Sequence, residues 1–135
     1  MNTFSRSVAF AGALVLGLSA AAGAATVRLV PLASAQTVGA TVSGCATPSS
    51  AATVAAAPVD YPAIAAAQHV SGIAQVRIAI DPRGALTATS LMTSSGNRWL
   101  DRAALRAARL SRYSAEVRNC APVGGEYAFV VEFAD

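Results

Sequence analysis

One histidine, His69, two cysteines, Cys45 and Cys120, and the aspartates Asp81 and Asp101 are the residues that any active site here would draw on. Their types and spacing assemble none. A metal centre needs three or four ligands, and His69 is the chain's sole histidine. No serine sits in the G-x-S-x-G turn that presents a hydrolase nucleophile, and Ser94-Ser95-Gly96 reads as the turn before a helix. A Cys-His nucleophile pair is conceivable, but Cys120 has a better use with Cys45. Gly124-Gly125 is too short for a phosphate loop and precedes a strand, not a helix. Asp81 and Asp101 lack the arrangement of an acid/base pair. The expectation is a protein that is no enzyme and uses no cofactor and no metal.

Charge is the next candidate. At 100° per residue, Arg98, Arg102, Arg106, Arg109 and Arg112 fill one arc of a helix. Trp99, Leu100, Ala103, Ala104, Ala107, Ala108 and Leu110 share the other half. One reading of the arginine arc is a solvated face with some pairing to Glu116 or Glu132. The other is a surface for an acidic partner, either a polypeptide segment or an anionic lipid, and Leu105 in the middle of the stripe hints at a contact patch. The formal net charge is +3, and all ten basic residues are arginine. It falls to about +1 if Arg6 and Arg28 are removed with a leader. A balance so near neutral excludes the concentrated basic field that nucleic-acid binding needs.

A leader is expected. Arg6 is followed by an apolar run over residues 8–22 and by two small-residue sites, Ala22-Gly23-Ala24 and Ala33-Ser34-Ala35. This is the order of a secretory signal peptide, covering residues 1–25 with cleavage as late as residue 35. As a membrane anchor the run is short and weak beside the ~20 apolar residues of a spanning helix. Residues 36–57 carry Ala, Thr, Ser, Val, Gly and Pro without charge and read as linker, at most about 75 Å when extended. Cys45 and Cys120 remain after export, and an even count in an oxidising compartment reads as one disulfide, with two buried free thiols as the alternative. Such a bridge would close a loop of about 75 residues, contribute up to ~4 kcal/mol, and order part of the linker.

The folded part spans residues 58–135. Pro62 suits the first turn of a short helix that Ser71-Gly72 stops. Ala74, Val76, Ile78 and Ile80 alternate with polar or small residues as a first strand, and Asp81-Pro82-Arg83-Gly84 is a turn with Gly84 at a left-handed position. Leu86, Ala88, Ser90 and Met92 lie on one side of the returning strand. Asn97 caps the main helix. Tyr127, Phe129, Val131 and Phe133 form the aromatic face of a last strand. Helix, hairpin, helix, strand predicts an α+β two-layer sandwich: two helices on a three-stranded antiparallel sheet of order 2-1-3, with the last strand at an open edge.

Taken in order, Tyr61-Pro62, Gly72, Asp81-Pro82-Arg83-Gly84, Ser94-Ser95-Gly96, Leu100-Asp101-Arg102-Ala103-Ala104 and the Tyr-x-Phe-x-Val-x-Phe ending resemble the C-terminal domain of the TonB family. The resemblance runs from about residue 58 to 135. It implies that the last strand pairs with the "TonB box" peptide of an outer-membrane receptor and that the Tyr-Pro region touches the receptor plug. Those roles would fall on Tyr127, Ala128, Phe129, Val130, Val131, Glu132 and Phe133, and on Tyr61 and Pro62. Energy-transducing members keep an anchor whose membrane helix bears a functional His, and carry a long charged Pro-rich rod. Here the apolar run has no His and the linker is short and uncharged. Asn119-Cys120-x-Pro122-Val123 looks like a secreted, disulfide-bearing subgroup.

The expectation is therefore a periplasmic module that binds a peptide or a TonB-dependent receptor by strand addition, with homodimerisation by strand swapping as a further partner mode. Two alternatives stand beside it. One is an inner-membrane-anchored energy transducer for receptor-mediated transport. The other is an envelope-associated structural protein making peripheral contact with anionic lipid through its arginines.

Overall fold

The structure, a computed structural model, describes residues 24–32 and 49–135. In chain order the elements are β1 (Ala24–Pro31), β2 (Thr53–Ala55), α1 (Ala63–Ala67), β3 (Gly72–Ile80) and β4 (Leu86–Thr93). They continue with α2 (Arg98–Leu110), β5 (Arg112–Ser114), β6 (Glu116–Arg118), β7 (Ala121–Val123) and β8 (Gly125–Ala134).

The β3–β4 hairpin forms where the alternation and the turn residues placed it. The Asp81 carboxylate accepts from the backbone N–H of Arg83 and of Ala85, each at 2.9 Å, and Gly84 takes φ 83°. An Asx turn plus a left-handed glycine fixes the hairpin register. α2 starts on Asn97, whose side-chain oxygen accepts from the Trp99 N–H at 2.8 Å. Its inner stripe of Leu100, Ala104, Ala107 and Ala108 is buried on the sheet. The small alanines let the helix sit close over Val76, Ile78, Phe129 and Val131, which are fully enclosed.

The sheet corrects the expected layout. It has four strands in the order β1-β8-β3-β4, all neighbours antiparallel. The order of the two hairpin strands and the last strand is as predicted, but β8 is not at an edge. β3 pairs with it from Gly72↔Phe133 to Ile80↔Gly125, and β1 covers its other side from Ala24↔Ala134 to Pro31↔Tyr127. The physical reason lies in the residues of β1. Ala25, Val27 and Leu29 are half-buried against the core while Thr26, Arg28 and Val30 are exposed, which is the period-2 pattern of a strand with one wet face. Four strands in place of three also satisfy a second row of β8 main-chain groups that would otherwise face water.

Residues 49–57, part of the stretch read as linker, are paired with the rest of the chain. Ser50 and Val117 exchange backbone hydrogen bonds at 3.0 and 2.9 Å, β2 pairs with β5, and the Ala57 N–H donates to the Ser111 hydroxyl at 2.9 Å. This stretch, within the part read as linker, is laced onto the chain that follows α2. The wheel of α2 is also rotated from expectation: Leu110 is 65% exposed, whereas Leu105, expected within the arginine stripe, is half-buried against the core.

Candidate functional site: a covered strand and an arginine-bearing helix

β8 presents Tyr127, Phe129, Val131 and Phe133 to the helices, all buried. Ala128 and Val130 point to the opposite face, yet they too are buried, at 3% and 4% exposure. Their cross-strand neighbours explain this: Val130 lies between Arg28 and Gln75, and Ala128 between Val30 and Arg77. A residue in the middle strand of an antiparallel sheet is shielded by side chains on both flanks even where no second layer covers it. Glu132 alone among the expected partner-binding residues of this strand is exposed.

Tyr61 and Pro62 are half-buried at the start of α1. The Tyr61 ring meets Phe133 edge-on, with centroids 5.7 Å apart at 72°, and its hydroxyl donates to the Val70 carbonyl. The Pro62 carbonyl accepts from the N–H groups of Ala65 and Ala66 at 2.9 and 3.0 Å. The structure thus brings Tyr61 to the end of β8, with Pro62 beside it facing the cleft next to α2.

The five arginines Arg98, Arg102, Arg106, Arg109 and Arg112 are all exposed. Pairing with Glu116 or Glu132 does not occur among the described residues, because Glu116 is held bidentately by Arg118 at 2.7 and 3.0 Å. Arg98 and Arg102 instead place their guanidinium carbons 4.8 and 5.6 Å from the centre of the Trp99 ring.

Residues 57–134 match the family described as Gram-negative bacterial TonB protein C-terminal. The chain belongs to that family. The match covers more than half of its length. No curated protein and no solved structure matches the chain. TonB C-terminal domains are binding and transduction domains of the cell envelope rather than catalytic ones, and they interact with outer-membrane receptors. The helix-hairpin-helix-strand unit here is the TonB C-terminal portion; β1 and β2 lie before the matched residues.

Other titratable groups around this TonB-type core are committed to structure. Burial alone would raise the Asp101 carboxyl, but it accepts from the Ser94 hydroxyl, the Ser95 N–H and the Ser95 hydroxyl at 2.6 to 2.8 Å, and its pKa is lowered. The Arg118 hydrogen bonds hold Glu116 below its usual range against some burial. Burial, with the Glu116 charge beside it, raises Tyr127, and burial pushes Tyr113 up to about 12. Tyr113 donates to the Ala108 carbonyl at 2.6 Å. His69 meets the Asp135 carboxylate at 2.5 Å on the surface. Among the described residues no cluster of three or more His, Cys, Asp or Glu could hold a metal, and no helix is long and apolar enough to cross a membrane.

Cys120 occupies the two-residue turn between β6 and β7, where Asn119 and Cys120 take φ 48° and 66°. It is not a free thiol. Cys45 lies outside the described residues, as do most of the expected leader and part of the expected linker. β1 is the element beside the expected site strand that sequence reasoning missed. Its signal was present in the alternation of Ala25, Val27 and Leu29, but the stretch abuts an apolar run and falls between two cleavage sites.

Proposed function

We propose that this chain is an envelope binding module that engages an extended peptide or an outer-membrane receptor segment along the outer row of β8, the row that β1 occupies here. The carrying observation is the eight-residue antiparallel register between β1 and β8. Main-chain groups of β8 on that side pair with a strand whose Ala25, Val27 and Leu29 turn to the core and whose Thr26 and Arg28 turn to water, and such main-chain pairing is the requirement for strand addition. Tyr61 and Pro62, beside Phe133, extend the contact.

For a partner to enter, β1 must leave. Export with cleavage after Ala35 removes it outright; cleavage after Ala24 retains it as a strand to be displaced. We place the mature protein in the periplasm, beginning after residue 25 or as late as residue 36, with a Cys45–Cys120 disulfide tying its early residues to the β6–β7 turn; that Cys120 is not free supports the pairing.

The test is direct. The chain is purified from the periplasm, its N-terminus is read by intact mass, and amide exchange is followed through residues 127–133. Chain beginning at residue 36 should show fast exchange at the outer β8 amides, and a synthetic peptide of residues 24–32 should restore protection. If those amides stay slow without β1 and the peptide leaves them unchanged, strand addition at β8 is wrong. Alkylation checks the disulfide: two thiols should react only after reduction.

A further inference from the structure

A cleft of about 220 Å³ runs between α2 and the segment that leads into α1, with Pro58 and Pro62 on one wall and Trp99 and Leu110 on the other. Arg102 and Arg106 stand on its rim, and the same two arginines also border a second depression of about 330 Å³ that reaches Leu105 and Arg109. An apolar floor is therefore split by a ridge of two guanidinium groups.

Among the described residues no ion pair takes up the charge on this ridge. All seven Asp and Glu residues of the chain lie among the described residues, and none forms an ion pair with Arg98, Arg102, Arg106, Arg109 or Arg112. Asp101, the nearest in sequence, is taken up by Ser94 and Ser95. Asp60 lines the cleft without pairing. Leu110, meanwhile, is the most exposed of the large apolar residues described. Unmatched cations around an exposed leucine and a tryptophan call for an occupant that brings carboxylates and an apolar side chain together.

We propose that this face of α2 binds an acidic polypeptide segment, with one apolar side chain seated between Trp99 and Leu110 and carboxylates on Arg102 and Arg106. Concavity favours a peptide over a lipid surface, since a flat anionic bilayer cannot place an apolar group inside the cleft. The surface adjoins the β8 contact only at Pro62 and otherwise lies on α2, so it serves as a second point of attachment, and two linked contacts raise affinity through effective concentration.

Trp99 is the only tryptophan of the chain, so its fluorescence reads this site alone. The full chain is titrated with an acetylated peptide of five glutamates and one central leucine, with the same peptide carrying lysines, and with phosphatidylglycerol vesicles. The glutamate peptide should give a saturable change that weakens as salt rises from about 0.05 to about 0.5 M, and the lysine peptide none. Arg106→Glu, whose guanidinium does not stack on Trp99, should weaken binding about tenfold or more. Arg102→Gln should weaken it in the same direction without reversing a charge. No response to the glutamate peptide, an unaltered affinity in both variants, or a response to vesicles alone would overturn the proposal. Far-UV dichroism should be unchanged in both variants, because neither arginine has a partner carboxylate to lose.

Discussion

Val27 of β1 lies directly opposite Val131 of β8 in antiparallel register. Val131 is fully buried and Val27 half-buried against the same core. This pair is the centre of the seam that closes the outer row of β8. Val27→Asp puts an unpaired carboxylate at that centre, at a cost of about 1–3 kcal/mol. Beyond its main-chain ladder to β8, β1 is held by only three half-buried side chains, so detachment of β1 is the expected relief, with β3, β4, β8 and α2 left intact. Amides of residues 127–133 that bond to β1 should then exchange faster by a factor of ten or more on the scale of ~1.4 kcal/mol per decade, while those bonded to β3 stay slow. Equal rates in the variant and the parent would mean that β1 does not guard this row.

Tyr61 separates a structural role from a binding one. Its hydroxyl donates to Val70 and its ring edge meets Phe133. Tyr61→Phe removes only the hydrogen bond, at about 1 kcal/mol. Tyr61→Ala also removes the ring contact and opens a gap beside Phe133, for a total of about 2–4 kcal/mol. Thermal unfolding should rank the two in that order. A peptide that binds along β8 should keep its affinity in Tyr61→Phe and lose it in Tyr61→Ala.

Two glycines test how tightly the hairpin is pressed against the chain after α2. Gly84 has φ 83°, and a Cβ there would stand 2.5 Å from the Tyr113 carbonyl oxygen. Gly96 has φ 88° with nothing within 4 Å of such a Cβ. Gly96→Ala therefore carries only the left-handed penalty of about 1–2 kcal/mol. Gly84→Ala carries that penalty plus displacement of β5 backbone, about 2–4 kcal/mol. Urea midpoints of the two variants should differ, with Gly84→Ala the lower; equal midpoints would mean that β5 yields freely.

How much of this could be read from residues alone depended on how local the signal was. Asn97 as a cap, the Asp81–Gly84 turn and the buried stripe through Leu100, Ala104 and Ala107 each follow from contacts within a few residues, and each formed. The burial of Val130 and Ala128 did not follow, because it depends on Arg28, Val30, Gln75 and Arg77 from two other strands. β5 exists through its pairing with β2, as Val54 with Tyr113, too far apart in sequence for any periodicity to reveal, whereas β6 and β7 form a local hairpin whose three-residue strands are too short to show an alternation. The helical wheel placed Leu110 among the buried residues because it gives the width of an apolar arc but not where the sheet lies beneath it. Pairing of charges failed for a related reason: Glu116, expected near the α2 arginines, is turned by the β6–β7 hairpin onto Arg118.

Asp101 sets the acid limit of the fold. Its carboxylate gathers the Ser94 and Ser95 donors and sits in the first turn of α2, where the helix dipole favours a negative charge. The folded pKa is depressed below the ordinary value of 3.8. A group of this kind contributes stability that is complete above its unfolded pKa and is lost as pH falls through the folded one. Between neutral pH and about 5 its contribution should therefore be flat, with the decline confined to lower pH, and Glu116 adds in the same direction. Asp101→Asn keeps one acceptor oxygen for Ser95 but cannot accept from the Ser94 hydroxyl, and it carries no charge for the dipole. It should cost about 1–2 kcal/mol at neutral pH. Its acid limb should be shallower than the parent's, since the contribution of Asp101 to it is gone. Urea unfolding from pH 7 down to about 2 measures both quantities; parallel curves for the two proteins would mean that Asp101 does not titrate with folding.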